Sequence, residues 1–292
     1  MVKVTFDEML EAGVHFGHLK RKWNPSMAPY IFMERNGIHI IDLYKTQAKL
    51  EEASAAMKQI AKSGRRILFV STKKQAKDIV SEMAKKINMP YVTERWPGGM
   101  LTNFATIRKA IRKMSNIDKL ITTNSWKNLS KRERLQVTRE RAKLEKNLGS
   151  IADMARIPAA LFIVDINKEK IAVAEARKLN IPIFAMVDTN TDPNLIDFPI
   201  PANDDASKSI TLIVNVVTSA VAEGLAERKM AREKSAAEKK AKEDALAVAK
   251  EADLKAKSET LKQAEEEADI AAEKVIKKPR IIRKPVTKKL NK

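Results

Sequence analysis

Two histidines near the start of the chain have a spacing that can hold a metal ion. His15 and His18 form an H-x-x-H pattern within Gly13-Val14-His15-Phe16-Gly17-His18. Residues three apart share one face of a helix, and imidazoles presented in that way are common ligands of zinc. The glycines disfavour a regular helix here, and the glutamate of the H-E-x-x-H metalloprotease pattern is absent. We therefore predict a structural role for His15, while the role of His18 stays open.

Acidic residues follow two apolar segments of the chain. Asp165 and Asp188 each come directly after such a segment, and Asp204-Asp205 lies further downstream. Ligands gather at the carboxyl ends of strands in open α/β sheets, so these carboxylates could hold a divalent cation or serve a hydrolase. The sequence has no nucleophile–base pair of recognised spacing and no phosphate-binding loop. Aspartate after a strand is also a common turn and helix-cap residue, and we favour that structural interpretation.

A short loop combines three positive charges with an aromatic ring. Its residues are Lys20, Arg21, Lys22 and Trp23. The charges would engage phosphates, and the indole would stack on a base or brace the loop, which modestly favours RNA over a plain solvated loop. Elsewhere, Pro97-Gly98-Gly99 lacks the dinucleotide and P-loop spacings and predicts a tight turn. Beside that turn we expect Trp96 to pack in the protein and Arg95 to contact RNA.

The elements that position these residues follow from hydrophobic patterning. Three short, continuous apolar segments predict buried parallel strands at 67–70, 160–164 and 183–187. Amphipathic helical segments alternate with them at 46–62, 73–87 and 168–179, and a last helix is expected at about 206–225. This alternation predicts an α/β core with a doubly wound parallel sheet, made of residues 1–104 and 150–226.

Residues 105–149 form a basic insertion between two strands. They contain 13 Lys/Arg and 4 Asp/Glu, a net charge of +9. Two helical segments, 105–120 and 130–148, flank a polar turn at 122–125 and predict an antiparallel coiled-coil hairpin. The expected apolar seam contains Ile107, Ile111, Met114, Ile117, Leu135, Leu144 and Leu148. The residues predicted to contact RNA on its surface are Arg108, Arg112, Arg132 and Arg139.

The charge is distributed unevenly along the chain. The whole chain of 292 residues carries +19, whereas the predicted α/β core carries only +3. Residues 227–275 have balanced charge and no Gly or Pro, which predicts a solvated helix or a disordered extension, and residues 276–292 hold eight basic and no acidic residues. A basic projection and tail beside a nearly neutral body favour a polyanion as partner, with RNA ahead of an anionic membrane.

Composition limits the compartment and the chemistry. The chain has no cysteine, which excludes disulfides and thiolate metal sites and is consistent with a reducing compartment. The N-terminus lacks an apolar run of the signal-peptide type, and the longest apolar stretch, 158–164, is far shorter than the roughly 20 residues that span a bilayer. We therefore expect a soluble, cytoplasmic protein without a membrane partner.

An ordered set of motifs resembles one known family, that of bacterial small-subunit ribosomal protein two. The similarity runs from about residue 6 to residue 223, and no single motif carries it. Its main segments are Gly13-Val14-His15-Phe16-Gly17-His18, Trp23-Asn24-Pro25, Arg35-Asn36-Gly37-Ile38-His39-Ile40-Ile41-Asp42, Thr72-Lys73-Lys74-Gln75-Ala76, Gly98-Gly99-Met100-Leu101-Thr102-Asn103-Phe104, Val187-Asp188-Thr189-Asn190 and Asn203-Asp204-Asp205-Ala206.

The resemblance implies a fold, a place and partners. The fold is a flavodoxin-like domain with a protruding coiled-coil hairpin, and the place is the small subunit between head and body, bound to rRNA. The partners are neighbouring small-subunit proteins, including the large mRNA-binding protein that this family helps to dock. Some members hold a metal ion near residues matching His18, Asp188 and Asp204, so the resemblance implies a divalent ion there, zinc or magnesium, although no cofactor is required.

These observations favour a structural, non-catalytic component of the small ribosomal subunit. One alternative is an α/β enzyme that acts on phosphorylated or nucleotide substrates at Asp165 and Asp188. Another is a free RNA chaperone or regulator. The missing phosphate loop disfavours the enzyme, and the basic projection favours stable assembly with RNA.

Overall fold

The computed structural model describes residues 4–123, 125–237 and 239. The predicted basic tail at 276–292 and most of the predicted extension at 227–275 lie outside that part. The chain begins with α1 (Phe6–Glu11) and a small antiparallel sheet of β1 (Phe16–Leu19), β2 (Ile31–Arg35) and β3 (Ile38–Ile41), in the order β1-β3-β2. Asn36-Gly37 joins β2 to β3 with φ of 53° and 74°, the left-handed backbone that a two-residue hairpin requires.

A parallel sheet follows. Its strands are β4 (Ile67–Val70), β5 (Tyr91–Val92), β6 (Ala160–Val164), β7 (Ile183–Val187) and β8 (Phe198–Pro201). They lie in the order β5-β4-β6-β7-β8, all parallel. Counted within this sheet, the order is 2-1-3-4-5, which is the order of flavodoxin-like folds. The three predicted strands are confirmed as β4, β6 and β7, at the predicted bounds.

Two strands of the parallel sheet escaped prediction for physical reasons, and the three strands of the small sheet were not predicted either. β5 has only two residues, too few for any period to show. β8 contains Pro199 and Pro201 and pairs on one side only, with β7. Proline is tolerated on an edge strand because no ladder hydrogen bond is lost there, but its presence argues against a strand in the sequence.

Helices cover both faces of the parallel sheet. They are α2 (Leu43–Lys62), α3 (Lys74–Lys86), α4 (Phe104–Thr122), α5 (Ser125–Asn128), α6 (Lys131–Leu148), α7 (Lys170–Lys178) and α8 (Ser207–Ala237). Phe69, Phe162 and Phe184 point to one core with side chains of α2, α3 and α8. Alternate strand residues such as Leu161 and Ile163 point to the other core, towards α7 and the base of α4 and α6. Successive strand residues serve opposite faces, so both faces are filled.

α8 extends beyond its expected end near residue 225. By length and composition alone it could cross a membrane. Its apolar stripe is nevertheless buried in the core of the protein, through Ile210, Ile213, Val214, Val217 and Val221. Packing against the sheet therefore accounts for the apolar character of this helix.

The basic insertion folds into two long helices, α4 and α6, which pair through side chains. Lys113 bonds Glu140, and Arg141 bonds Asp118. α5 begins at Ser125, the last residue of the predicted turn, and occupies most of the segment between that turn and the second predicted helix. Leu135, expected in the seam, is instead 51% exposed. We call α4, α5 and α6 together the arm.

Candidate functional site

The carboxylates predicted at the strand ends meet at one edge of the parallel sheet. Asp165 follows β6, Asp188 follows β7, and Asp204 lies just beyond β8. All three are buried, at 7%, 1% and 1% exposed. Asp165 has a φ of 67°, a left-handed conformation that aspartate tolerates at a turn. We call these three residues together with Asp205 the acidic cluster.

Lys73 neutralises much of the acidic cluster. It enters from the loop between β4 and α3, and its Nζ lies 2.8 Å from Asp204 Oδ1, 2.6 Å from Asp205 Oδ1 and 3.4 Å from Asp165 Oδ2. Burial lowers the pKa of this ammonium, but the hydrogen bonds to Asp204 and Asp205 outweigh burial and raise it. A permanently charged lysine is therefore built into the edge.

His18 closes the other side of the acidic cluster. Its Nδ1 is 3.0 Å from Asp188 Oδ2, and its Nε2 is 3.4 Å from Asp205 Oδ2. The hydrogen bond with Asp188 raises the pKa of His18, against the lowering effect of burial. Burial, and then the charges of Asp188 and Asp165, raise the pKa of Asp204 to about 7, although Lys73 opposes that shift.

Close backbone packing brings His18 to this position. The His18 amide donates to Thr189 Oγ1 over 2.8 Å, and Thr189 in turn bonds Asp188 Oδ1. A Cβ on Gly17 would lie 2.6 Å from Thr189 Cγ2 and 2.9 Å from the His39 carbonyl oxygen. Gly17 is therefore needed because β1 passes directly against the loop after β7.

The donor atoms of His18, Asp188 and Asp204 could hold a cation. One ligand atom from each lies within 4.8 Å of the others. An imidazole with two carboxylates suits zinc or another first-row divalent ion, whereas magnesium prefers oxygen ligands alone. The Lys73 ammonium already sits beside Asp204, so an ion would share that carboxylate with it. The structure thus brings together His18, Asp188 and Asp204, the three residues that the resemblance implies as metal ligands.

His15 does not join this group. Its pKa is lowered by burial, and its ring packs on Phe16 with centroids 4.0 Å apart. The structural role predicted for His15 agrees with this packing.

The basic loop presents its charges to solvent and holds its aromatic ring. Lys20, Arg21 and Lys22 are exposed, and Lys20 pairs with Glu34 over 2.7 Å. Trp23 is half-buried and its ring packs on His39, with centroids 5.1 Å apart. The loop is tied down where the Asn24 amide donates to the Thr189 carbonyl. The indole therefore braces the loop. Among the described residues, Arg21 and Lys22 have no ion-pair partner.

The arm carries its predicted contact residues on the outside. The four arginines Arg108, Arg112, Arg132 and Arg139 are all exposed. Across residues 4–123 and 125–237 none of them has a carboxylate partner, whereas Arg141 bonds Asp118 and Glu145. The free guanidinium groups are available to a ligand of opposite charge.

Arg95 and Trp96, which precede the loop that leads into α4, differ in their burial. Arg95 is exposed, and Trp96 is 6% exposed and donates its Nε1–H to Glu175. Glu175 also accepts backbone hydrogen bonds from Gly99, Leu101 and Thr102. The buried carboxylate thus fixes the loop that leads into α4.

An apolar groove lies on the small sheet. Six large side chains that line it remain more than a third exposed: Phe6, Leu10, Phe16, Phe32, Met33 and Tyr44. Phe32 and Tyr44 reach 71% and 72% exposure. Large side chains of this kind, exposed together in one patch, commonly mark a protein interaction site.

Sequence reasoning did not assign Lys73 or Glu175 a role, although signals existed. Lys73 comes three residues after β4, so the rule that gathered the aspartates at the strand ends applies to it as well. Glu175 lies on the apolar face of α7 with Ala172 and Ala176. A charge in the middle of an apolar stripe indicates a buried partner.

Comparison with known proteins gives one consistent answer. The model of the family Ribosomal protein S2 matches residues 9–224. The chain is 69% identical to small ribosomal subunit protein uS2 of Flavobacterium johnsoniae, over 81% of this chain and 93% of that protein. It is 68% identical to the protein of the same name from Phocaeicola vulgatus and 66% identical to that from Porphyromonas gingivalis, each over 78% of this chain and 82% of the relative.

Proposed function

The chain belongs to the ribosomal protein S2 family, and from that premise we propose that its arm and basic loop bind the rRNA of the small subunit. As a member of this family it is a structural component of the small ribosomal subunit in the bacterial cytoplasm, acts in translation and is not an enzyme. The family resemblance supplies the proposed location, between head and body.

The unpaired arginines of the arm carry the rRNA proposal. Residues 105–149 have a net charge of +9, and the exposed guanidinium groups at 108, 112, 132 and 139 lack acidic partners among the described residues. Arginine binds phosphate through two parallel hydrogen bonds and releases counterions when it does so. Arg21, Lys22 and Arg95, which are also exposed, would add further phosphate contacts.

The spacing of half-buried positions supports a coiled coil in the arm. Among the buried and half-buried positions are 104, 107, 111, 114 and 118 on α4 and 134, 137, 141, 144 and 148 on α6; positions 110, 117, 120, 140 and 147 beside them are also buried or half-buried. Steps alternating between three and four residues are the heptad spacing of coiled coils. Arg134 and Arg141 occupy two of these positions, and such side chains can lay their methylene stems along a seam.

Charge reversal on the arm tests the rRNA proposal. Replacing Arg108, Arg112, Arg132 and Arg139 by Glu should lower the occupancy of the protein in subunits depleted of it and then reloaded. The four Arg→Lys changes, which keep the charge, form the control and should assemble nearly as well as the wild type. Wild-type occupancy of the Glu variant after a high-salt wash would show that the arm is not an RNA anchor.

The apolar groove is the proposed docking face for a protein neighbour. The family resemblance implies the large mRNA-binding protein of the subunit as the partner. Exposed aromatic side chains such as Phe16, Phe32 and Tyr44 favour a protein partner over RNA phosphates.

A divalent ion at His18, Asp188 and Asp204 is the remaining part of the proposal. The three donor atoms converge, and the carboxylates are buried. A bound ion would supply positive charge that fixes β1 to the ends of β7 and β8. The residues themselves already orient one another through the contacts of His18 with Asp188 and Asp205.

A further inference from the structure

A second basic surface lies at the opposite edge of the parallel sheet from the acidic cluster. Arg65 and Arg66 immediately precede β4, and 153–159 immediately precede β6. The two segments are joined where the Ala159 amide donates to the Arg66 carbonyl over 2.9 Å. Between them is a cavity of about 530 Å³, which we call the arginine pocket. It is lined by Gly64, Arg65, Arg66, Asp153, Ala155, Arg156, Ile157 and Ala159.

The charges of the arginine pocket are unbalanced. Three exposed arginines line it, against one aspartate, Asp153. Within the part of the chain that the structure describes, Arg65, Arg66 and Arg156 bond no carboxylate. By contrast, the nearby Lys58 and Lys62 do have a carboxylate partner, because both bond Glu227.

A fourth arginine borders the arginine pocket. A Cβ on Gly64 would lie 2.0 Å from the guanidinium carbon of Arg228, so this guanidinium occupies the space beside the Gly64 backbone that a side chain would fill. Gly64 has a φ of 81°, and the missing side chain gives Arg228 its place. Three arginines therefore line the pocket, and a fourth guanidinium group lies against Gly64, one residue of its lining.

The shape and chemistry favour a nucleic-acid backbone. Strands of four to five residues are about 15 Å long, which separates the pocket from the carboxylates at the other edge. Arginine forks match phosphate oxygens, and several of them along a groove suit consecutive phosphates. Ile157, 45% exposed beside Arg156, offers apolar surface to a ribose or a base.

We propose that the arginine pocket binds the phosphate backbone of rRNA as a contact separate from the arm. This proposal rests on the rRNA binding proposed above. The shared chemistry is a phosphate group, and the test separates an RNA strand from free phosphate.

Two triple charge-reversal variants, one in the arginine pocket and one elsewhere as its control, test this proposal. The full chain with Arg65→Glu, Arg66→Glu and Arg156→Glu is titrated into subunits depleted of this protein at several salt concentrations. We expect binding to weaken about tenfold or more at low salt. The plot of log affinity against log salt, which has a negative slope, should become less steep by about 2. The control carries Lys74→Glu, Lys170→Glu and Lys208→Glu, three exposed lysines near the other edge of the sheet, and should keep the wild-type slope.

The outcomes separate the two proposals. If the arm reversal weakens binding but the pocket variant keeps wild-type affinity and slope, the pocket proposal is wrong and the arm proposal stands. If neither variant weakens binding, both fail. An equal loss in the pocket and control variants would also overturn the pocket proposal, because the loss would then reflect net charge alone.

Tethered cleavage shows whether the ligand is an RNA strand. The chain has no cysteine, so Ala155→Cys provides a single attachment point for an iron–EDTA probe in the pocket. We expect rRNA cleavage at a discrete site that Ser207→Cys, near the opposite edge, does not reproduce. The RNA assignment would be wrong if no discrete cleavage is seen and if millimolar inorganic phosphate abolishes the difference in affinity between the wild type and the pocket variant. The pocket would then take free phosphate.

Discussion

At the scale of single residues, Glu175 connects the α/β core to the arm. Its two carboxylate oxygens accept from Trp96 Nε1, from the amides of Gly99, Leu101 and Thr102, and from Thr102 Oγ1, over 2.8–3.2 Å. Burial raises its pKa, but hydrogen bonds led by those from Thr102 and Leu101 outweigh burial and hold the pKa of Glu175 below its usual range. One buried side chain thus orders a loop that lacks regular structure.

Removing this carboxylate should destabilise the protein. Glu175→Ala leaves three amides and an indole N–H without their acceptor, and we expect a loss of about 3 kcal/mol in the free energy of unfolding, measured with urea at pH 7. Because the folded-state pKa is lowered, the stability that Glu175 contributes is fully present above about pH 4.5 and is lost as pH falls through the folded value. Glu175→Gln should remove that part of the acid dependence, and identical pH profiles for Gln variant and wild type would contradict this account.

Removal of the His18 imidazole tests whether a metal ion is bound at His18, Asp188 and Asp204. His18→Ala removes the nitrogen ligand, so elemental analysis of washed subunits should show less zinc, or another divalent metal, per copy of the protein. His15→Ala is the matched control, because His15 packs on Phe16 away from the carboxylates. Equal metal content in wild type and His18→Ala would exclude His18 as a ligand.

At the scale of elements, the arm shows why residue type alone misplaced one position. Leu135 lies one residue away from the half-buried stripe that runs through Arg134, Val137 and Arg141, and it is therefore 51% exposed. Arg134 bonds the carbonyls of Leu129 and Lys127, and Arg141 bonds Asp118. Arg134 and Arg141, which have local partners, lie in the half-buried stripe, whereas Leu135, which the sequence analysis expected there, lies outside it.

The apolar groove between α1, α2 and the small sheet gives a prediction at this scale. Phe16→Ser with Phe32→Ser should lower the amount of the large mRNA-binding protein in purified subunits while this chain keeps its own occupancy, because the exposed rings would be lost from the contact. Quantitative mass spectrometry of the subunits measures both. Leu135→Ser with Ile171→Ser removes comparable exposed apolar surface elsewhere and should leave that protein unchanged. An equal effect of both pairs would argue against the groove.

At the scale of the whole molecule, the compact unit ends later than the composition suggests. Residues up to Met230 form one unit by contacts. Glu227 bonds Lys58 over 2.8 Å and Lys62 over 3.0 Å, and Arg228 rests on Gly64. The change in composition near residue 227 therefore comes before the last contacts of α8 with the core.

Truncations locate that boundary. A chain that ends after Met230 keeps these contacts and should melt within about 2 °C of the full chain, measured by circular dichroism. A chain that ends after Leu225 should melt lower than both, since it loses Glu227 and Arg228. Glu227→Ala in the full chain is the control for the ion pairs alone. A large fall for the chain ending at Met230 would show that the residues beyond it stabilise the core.

The sequence by itself determined the apolar strands, the alternation with helices, the basic arm and the family. These are local or cumulative signals: continuous apolar runs, helical periodicity, net charge and ordered motifs. Only the tertiary structure decided which distant side chains meet. It brought Lys73 among Asp165, Asp204 and Asp205, because parallel strands end at one edge, and it placed Arg65 and Arg66 beside Arg156 at the other. Strand order sets such neighbours, and no local pattern in the chain encodes that order.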